Sequence, residues 1–318
     1  MSANPLVARA YNSFRVEPFG LIRKSSSTER LADEIGYYKT VQRDINKAIF
    51  FPRVIASHTG DENWLLMERY DYPNLGNYLI GHADRTVNWT TVFDELSMVL
   101  SQFETFADTR PADPQYIADM ILNKTKREYQ ALVNQRYDLQ YLFSAKSVLL
   151  NGMEYDNFEV IWDGVETYIV ENMFEYTSSM IHGDMCFSNI LYSPDSHIFK
   201  FIDPRGSFGK KGIYGDPRYD IAKLYHSVDG GYEYIINDEF SLSGDNNAWN
   251  YELNNFDTRA LVAFEKKFFE TGAFKKKDIK IIQGCIYIGM CARHYDSRER
   301  QTAMYLTGVR LLNEAMKL

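Results

Sequence analysis

Residues 181–192, IHGDMCFSNILY, and residues 199–206, FKFIDPRG, set two acidic side chains and an amide on two short apolar runs. The run ending at Tyr192 and the run SHIFKFID flank the turn Ser193-Pro194-Asp195-Ser196, a hairpin pattern that brings Asn189 and Asp203 out at the same end of a rigid pair. Phosphoryl transfer calls for this mixture. It is achieved by positioning and charge neutralisation, so one carboxylate must orient an incoming hydroxyl while hard oxygen ligands hold Mg2+ on the phosphates of a nucleoside triphosphate. Asp184 is the candidate for the first task, Asn189 and Asp203 for the second. A single Asp or Asn in an apolar context is ordinarily a turn or a cap. The signal lies in the compound: His-Gly-Asp, four residues, Asn, then an apolar run ending in Ile-Asp-Pro.

On these residues the chain resembles the aminoglycoside phosphotransferase and choline kinase group, the small-molecule branch of the protein-kinase-like fold. His182, Gly183, Asp184, Asn189 and Asp203 match its pattern, and Asp220 in GDPRYDIAKLYHS (215–227) stands where such proteins carry an Asp before Ile-Ala. More narrowly, IDPRGSFG and GDPRYDIAKL resemble kinase-like proteins of bacterial capsule and surface-polysaccharide gene clusters. The resemblance is specific over about residues 180–230. It implies an α+β, bilobal fold: a small N-terminal antiparallel sheet with a helix, then a larger, mainly helical C-terminal lobe carrying the catalytic loop. It also implies ATP and Mg2+ as cofactors and a small molecule as phosphate acceptor.

Within that frame residues 1–70 form the nucleotide-binding lobe and residues 71–318 the helical lobe with the acceptor site. FRVEPFGLIRK reads as extended, with Lys24 at its end, and after the polar turn 25–28 Leu31, Ile35, Tyr38 and Val41 or Gln42 fall at helical spacing with Thr28 as N-cap. Kinase-like folds pair a strand lysine on the phosphates with a glutamate on the next helix, which makes Lys24 and Glu34 the candidates and Arg23 and Asp33 their neighbouring rivals. FFPRVIAS and NWLLMERY complete the sheet. ERYDYPN (68–74) is the hinge, where main-chain groups would meet a purine flanked by Met67, Glu68 and Tyr70. The first strands hold no G-x-G-x-x-G, so the phosphate cover falls on a non-glycine loop around Asn12-Ser13, and a pseudokinase stays open as a second reading.

His182 is expected to buttress the loop by a backbone hydrogen bond, and Asp220 to tie the loop down by accepting N–H groups. Arg205 either clamps a phosphate or anionic acceptor or pairs with Asp216 or Asp220. Lys124, Lys126 and Arg127 read as a solvated helix face, with anion binding as the alternative. The polar stretch INDEFSLSGDNNAWNYELNN (236–255) reads as a surface loop or a flap.

Composition sets the outer bounds. A net charge of -8 without a basic cluster argues against nucleic acid or an anionic membrane as partner. Three cysteines without a C-x-x-C pair indicate neither a disulfide framework nor a zinc site. The N-terminus lacks a signal-peptide pattern and no run is long enough to span a membrane, so a cytoplasmic location is expected. The most apolar helix candidate, residues 281–292, reads as buried core. The absence of H-R-D and A-P-E signatures makes a protein kinase the weaker alternative.

Overall fold

The computed structural model describes residues 12–318. The extended run around Lys24 is a hairpin: Pro18, Phe19 and Gly20 turn the chain between β1 (Ser13–Glu17) and β2 (Leu21–Ser26). Phe19 and Gly20 both take positive φ, 64° and 69°, which lets the turn close so tightly. Helix α1 (Glu29–Val41) follows, then β3 (Val54–His58) and β4 (Asn63–Glu68), giving an antiparallel sheet of order β1-β2-β4-β3. Strand alternation decides which side chains meet α1. Ile22, Lys24 and Ser26 stand opposite Met67, Leu65 and Asn63, and all six are buried on one face. Leu31, Ile35, Tyr38 and Val41 of α1 are fully buried, each contributing roughly 1.5–3 kcal/mol by leaving water. Thr28 holds the N-cap position without a side-chain capping bond; its hydroxyl meets Ser26 instead, at 2.9 Å.

Beyond β4 the chain is mainly helical. In order come α2 (Trp89–Thr105), α3 (Lys124–Gln135), β5 (Ser147–Leu150), β6 (Met153–Asp156) and α4 (Phe158–Asn172). The hairpin β7 (Ile190–Ser193) and β8 (Ile198–Phe201) precedes α5 (Pro217–Val228), β9 (Phe240–Asp245), β10 (Ala248–Leu253), α6 (Lys276–Ile288) and α7 (Arg298–Lys317). Most of the apolar 281–292 run is buried, much of it against α7, where Gly284 and Gly308 admit Leu312 and Ile288. No described helix is long and apolar enough to cross a membrane.

The polar stretch 236–255 is neither loop nor flap. It forms the β9–β10 hairpin, which joins β5 in parallel and completes a four-stranded sheet of order β9-β10-β5-β6. Asn151 secures the junction, donating to the carbonyl of Tyr251 and accepting from its N–H, both at 2.8 Å.

Candidate active site

The catalytic-loop candidates are held by a lattice of buried hydrogen bonds. Asp220, in the first turn of α5, accepts the N–H groups of His182 at 2.6 Å and Gly183 at 2.7 Å. Burial pushes its carboxyl up to about 7 against the pull of those two donors. The N–H of Asp184 donates to Nδ1 of His182 at 3.2 Å, so the proton sits on Nε2, which donates to the carbonyl of Ile202 at 2.9 Å. Burial lowers the His182 pKa to about 4 and keeps the ring neutral in that orientation. Gly183 has φ 76°, and a Cβ there would fall 2.8 Å from Cβ of Arg205. The loop therefore lies flat against the segment after Asp203, tied by the N–H of Arg205 to the carbonyl of His182 at 2.9 Å.

Hairpin register brings the two metal candidates together. Ile190 faces Phe201, and the N–H of Ile202 donates to the carbonyl of Asn189, so Asp203 follows directly beside Asn189. The amide Nδ2 of Asn189 donates to the carbonyl of Asp184 at 2.8 Å, which leaves Oδ1 as the acceptor at the hairpin end. Asp203 has φ 58°, a left-handed conformation that Asp tolerates better than most residues. Among the described residues no group of three or more His, Cys, Asp or Glu is arranged to hold a metal. One carboxylate plus one amide oxygen is nonetheless a donor set that fits Mg2+, which takes one or two protein oxygens and completes its shell from phosphates and water.

Lys24 connects the halves. Its ammonium donates to Oε2 of Glu34 at 2.6 Å and to Oδ1 of Asp203 at 2.9 Å, with Lys24 and Glu34 both buried. Burial opposes the lysine's charge, but the two carboxylates more than offset it and raise its pKa. Burial likewise lifts the Glu34 carboxyl, to about 7, against the attraction of Lys24. The rivals lie elsewhere: Arg23 stacks on Trp64 at 4.4 Å on the opposite face of the sheet, and Asp33 pairs with Lys211 at 3.0 Å.

Asp184 is gripped on both oxygens. Arg30 of α1 reaches Oδ2 at 2.7 Å and Lys223 of α5 reaches Oδ1 at 2.9 Å. Burial works against the charge of Lys223, yet Asp184 more than compensates and its pKa is raised. Neither cation was anticipated from sequence. The available signal was the spacing of Asp220 and Lys223, three residues apart on one helix, which puts both on the face toward the loop. Glu233 was also missed. It is buried under the loop, accepts from the N–H of Ser188 and the hydroxyl of Ser227 at 3.1 Å each, and burial raises its carboxyl to about 7.

At the hinge, Met67 shares the Lys24 face of the sheet. The Glu68 carboxylate turns outward to Arg53 and to the hydroxyl of Tyr70, whose ring lies by Lys200 at 5.2 Å and Tyr72 at 5.6 Å. The side chains of Glu68 and Tyr70 are thus engaged with each other and with Arg53, Lys200 and Tyr72. Asn12 and Ser13 stand at the start of β1, and the residues before them in the suggested phosphate cover lie outside the described residues. Arg205 pairs with neither Asp216, which Arg218 holds at 2.8 Å, nor Asp220.

No protein-family model matches the chain, and no curated protein matches its sequence. Solved structures do match in fold. A thermostable mutant of the aminoglycoside phosphotransferase APH(4)-Ia, in a ternary complex with ADP and hygromycin B, aligns with a TM-score of 0.58 and 10% identity over 95% of this chain and 93% of that one. The apo form of a thermostable mutant gives 0.55 and 11% identity over 95% and 94%. The chain has the aminoglycoside phosphotransferase-like kinase fold.

Proposed function

We propose that this chain is an ATP- and Mg2+-dependent kinase that transfers a phosphoryl group to a hydroxyl of a small molecule, a sugar, polyol or amino alcohol. One observation carries the reading: a single buried ammonium, Lys24, is bonded at once to Glu34 and to Asp203, so the phosphate-gripping cation and the metal carboxylate are set relative to each other. A matching structure holds ADP and hygromycin B, a nucleotide and a small molecule together, which agrees with it. Asn189 and Asp203 would hold Mg2+, which supplies charge neutralisation on the nucleotide phosphates. Asp184, fixed in place by Arg30 and Lys223, orients the acceptor hydroxyl and takes up its proton. A destination in capsule or surface-polysaccharide synthesis rests on the resemblance of IDPRGSFG and GDPRYDIAKL alone.

The test is a screen of sugars, polyols and amino alcohols for acceptor-dependent ADP release from Mg-ATP. Binding of Mg-ATP without turnover of any acceptor would make the protein a pseudokinase, and labelled phosphate ending on protein would make it a protein kinase.

A further inference from the structure

Of the three basic residues on α3, two are neutralised internally: Lys126 by Glu166 at 2.6 Å and Arg127 by Glu128 at 3.2 Å. Lys124 is different. It enters α3 from a π-helical turn, Ala118–Asn123, a distortion that redirects a helix face and recurs at functional sites. Half-buried, it reaches the hydroxyl of Tyr219 at 3.5 Å and makes no ion pair with a carboxylate among the described residues. Burial and the fields of Arg205, Arg293 and Lys223 push its pKa well below the ordinary lysine value, against the pull of Asp184.

Arg205 carries an independent sign of the same kind. Its stem packs on Gly183, beside Asp184, and its Nε is buried without a hydrogen-bond partner. A buried guanidinium donor left unmatched costs free energy that native structures avoid unless a partner arrives. The acids that could serve are engaged: Asp216 with Arg218, Asp220 with two backbone N–H groups, Glu128 with Arg293 at 2.9 Å. Arg30 and Lys223 already balance Asp184. Lys124 and Arg205 therefore place beside the catalytic loop two donor groups that no carboxylate among the described residues engages.

We infer that the acceptor is an anion, an alcohol bearing a carboxylate or a phosphate ester, whose charged group is held by Lys124 and Arg205 while its hydroxyl meets Asp184. The inference rests on the kinase reading for the hydroxyl but not for the anion site. A bidentate guanidinium and an ammonium meeting one oxyanion would satisfy both donors. An arriving oxyanion favours the protonated form of Lys124, whereas a polycationic acceptor such as an aminoglycoside disfavours it and is repelled by Arg205, so the site selects by repulsion as well as by attraction. Of the acceptors named above, the cationic amino alcohols drop out and acidic or phosphorylated sugars and polyols remain.

The experiment has a binding arm and a turnover arm. Inorganic phosphate is titrated calorimetrically into the full chain and into Lys124→Gln, Arg205→Gln, Lys124→Arg and Lys24→Ala. Loss of a hydrogen bond to a charged group weakens binding by roughly 10-fold or more. That loss is expected in Lys124→Gln and Arg205→Gln, with near-native binding in Lys24→Ala and recovery to within a few-fold in Lys124→Arg. No phosphate binding, or a loss confined to Lys24→Ala, overturns the inference by placing the anion with the donor phosphates. In the turnover arm glucose, glucosamine, glucuronate and glucose 6-phosphate are compared with Mg-ATP. A lower KM for the two anions is expected, and preference for glucosamine overturns the inference. If no acceptor releases ADP while phosphate binding keeps its dependence on Lys124 and Arg205, the anion site stands and the kinase reading fails.

Discussion

Gly206 lies against the main chain of Asp33 so closely that a Cβ on it would stand 2.3 Å from the Asp33 carbonyl oxygen. Gly206 follows the metal candidate Asp203 by three residues, and Asp33 immediately precedes Glu34. This contact sets how deeply α1 seats on the loop, and so the span that Lys24 bridges. With φ at 73° as well, Gly206→Ala should cost about 1–3 kcal/mol of stability and raise the Mg-ATP requirement in parallel. Urea unfolding and nucleotide titration check both, and native values in either would show that the contact is dispensable.

Lys24→Ala should raise the ATP requirement and lower turnover together, whereas Arg23→Ala should do much less, because Arg23 stacks on Trp64 across the sheet. Steady-state kinetics on the two variants decide it. The opposite ranking would remove Lys24 from the donor site.

Asp203→Asn should abolish productive Mg-ATP use while the fold survives. Asn tolerates the left-handed backbone at φ 58° and keeps the shape of Asp while removing the hard anionic ligand. Circular dichroism and turnover across a Mg2+ series are the measurements, with near-native turnover at saturating Mg2+ as the contrary result.

Asp184→Ala should cut turnover by roughly 10^2 to 10^4-fold with little change in nucleotide affinity. It should also destabilise the protein, because Lys223 is left buried with its charge uncompensated. Lys223→Met added to Asp184→Ala should recover stability without recovering turnover. Additive losses in the double variant would mean that the pair is not coupled.

Glu233 supplies a pH signature. Burial raises its carboxyl from 4.5 to about 7, so the folded state favours the protonated form. Its contribution to stability is complete below about 4.5 and is lost as pH rises through about 7, an effect on the order of 1–3 kcal/mol. Glu34 and Asp220 titrate in the same window, so the informative quantity is the difference between wild type and Glu233→Gln. Urea midpoints at pH 5 and at pH 7.5 should diverge less in the variant; equal divergence would put Glu233 outside the transition.

The sequence was most readable where a motif and its hydrogen bonds are local. His182, Asp184, Asn189 and Asp203 sit on one loop and one hairpin, and the resemblance to kinase-like folds, laid over a strand and the helix after it, nominated Lys24 and Glu34, whose side chains do meet. Arg30 escaped because its partner is 154 residues away, a separation that no periodicity encodes. Lys223 escaped because burying a lysine is only reasonable once Asp184 is known to face it. The β9–β10 hairpin was mistaken for a loop because more than half of its strand residues are exposed, and the strand that organises it, β5, lies about 100 residues earlier.

Helix α1 meets the rest of the molecule at many points. Tyr37 donates to the carbonyl of Ile181 at 2.9 Å, Arg30 grips Asp184, Glu34 meets Asp203 through Lys24, and Lys211 ties down Glu29 and Asp33. Where such a helix has few attachments, it can swing out and dismantle the site, and regulation acts on that motion. Here it is a strut rather than a lever. To tilt it away, the chain would have to break a hydrogen bond to the catalytic loop, expose the charge on Asp184 and strand a buried lysine in one movement. Held at these points, α1 can shift only together with the loop and the strand that it fastens.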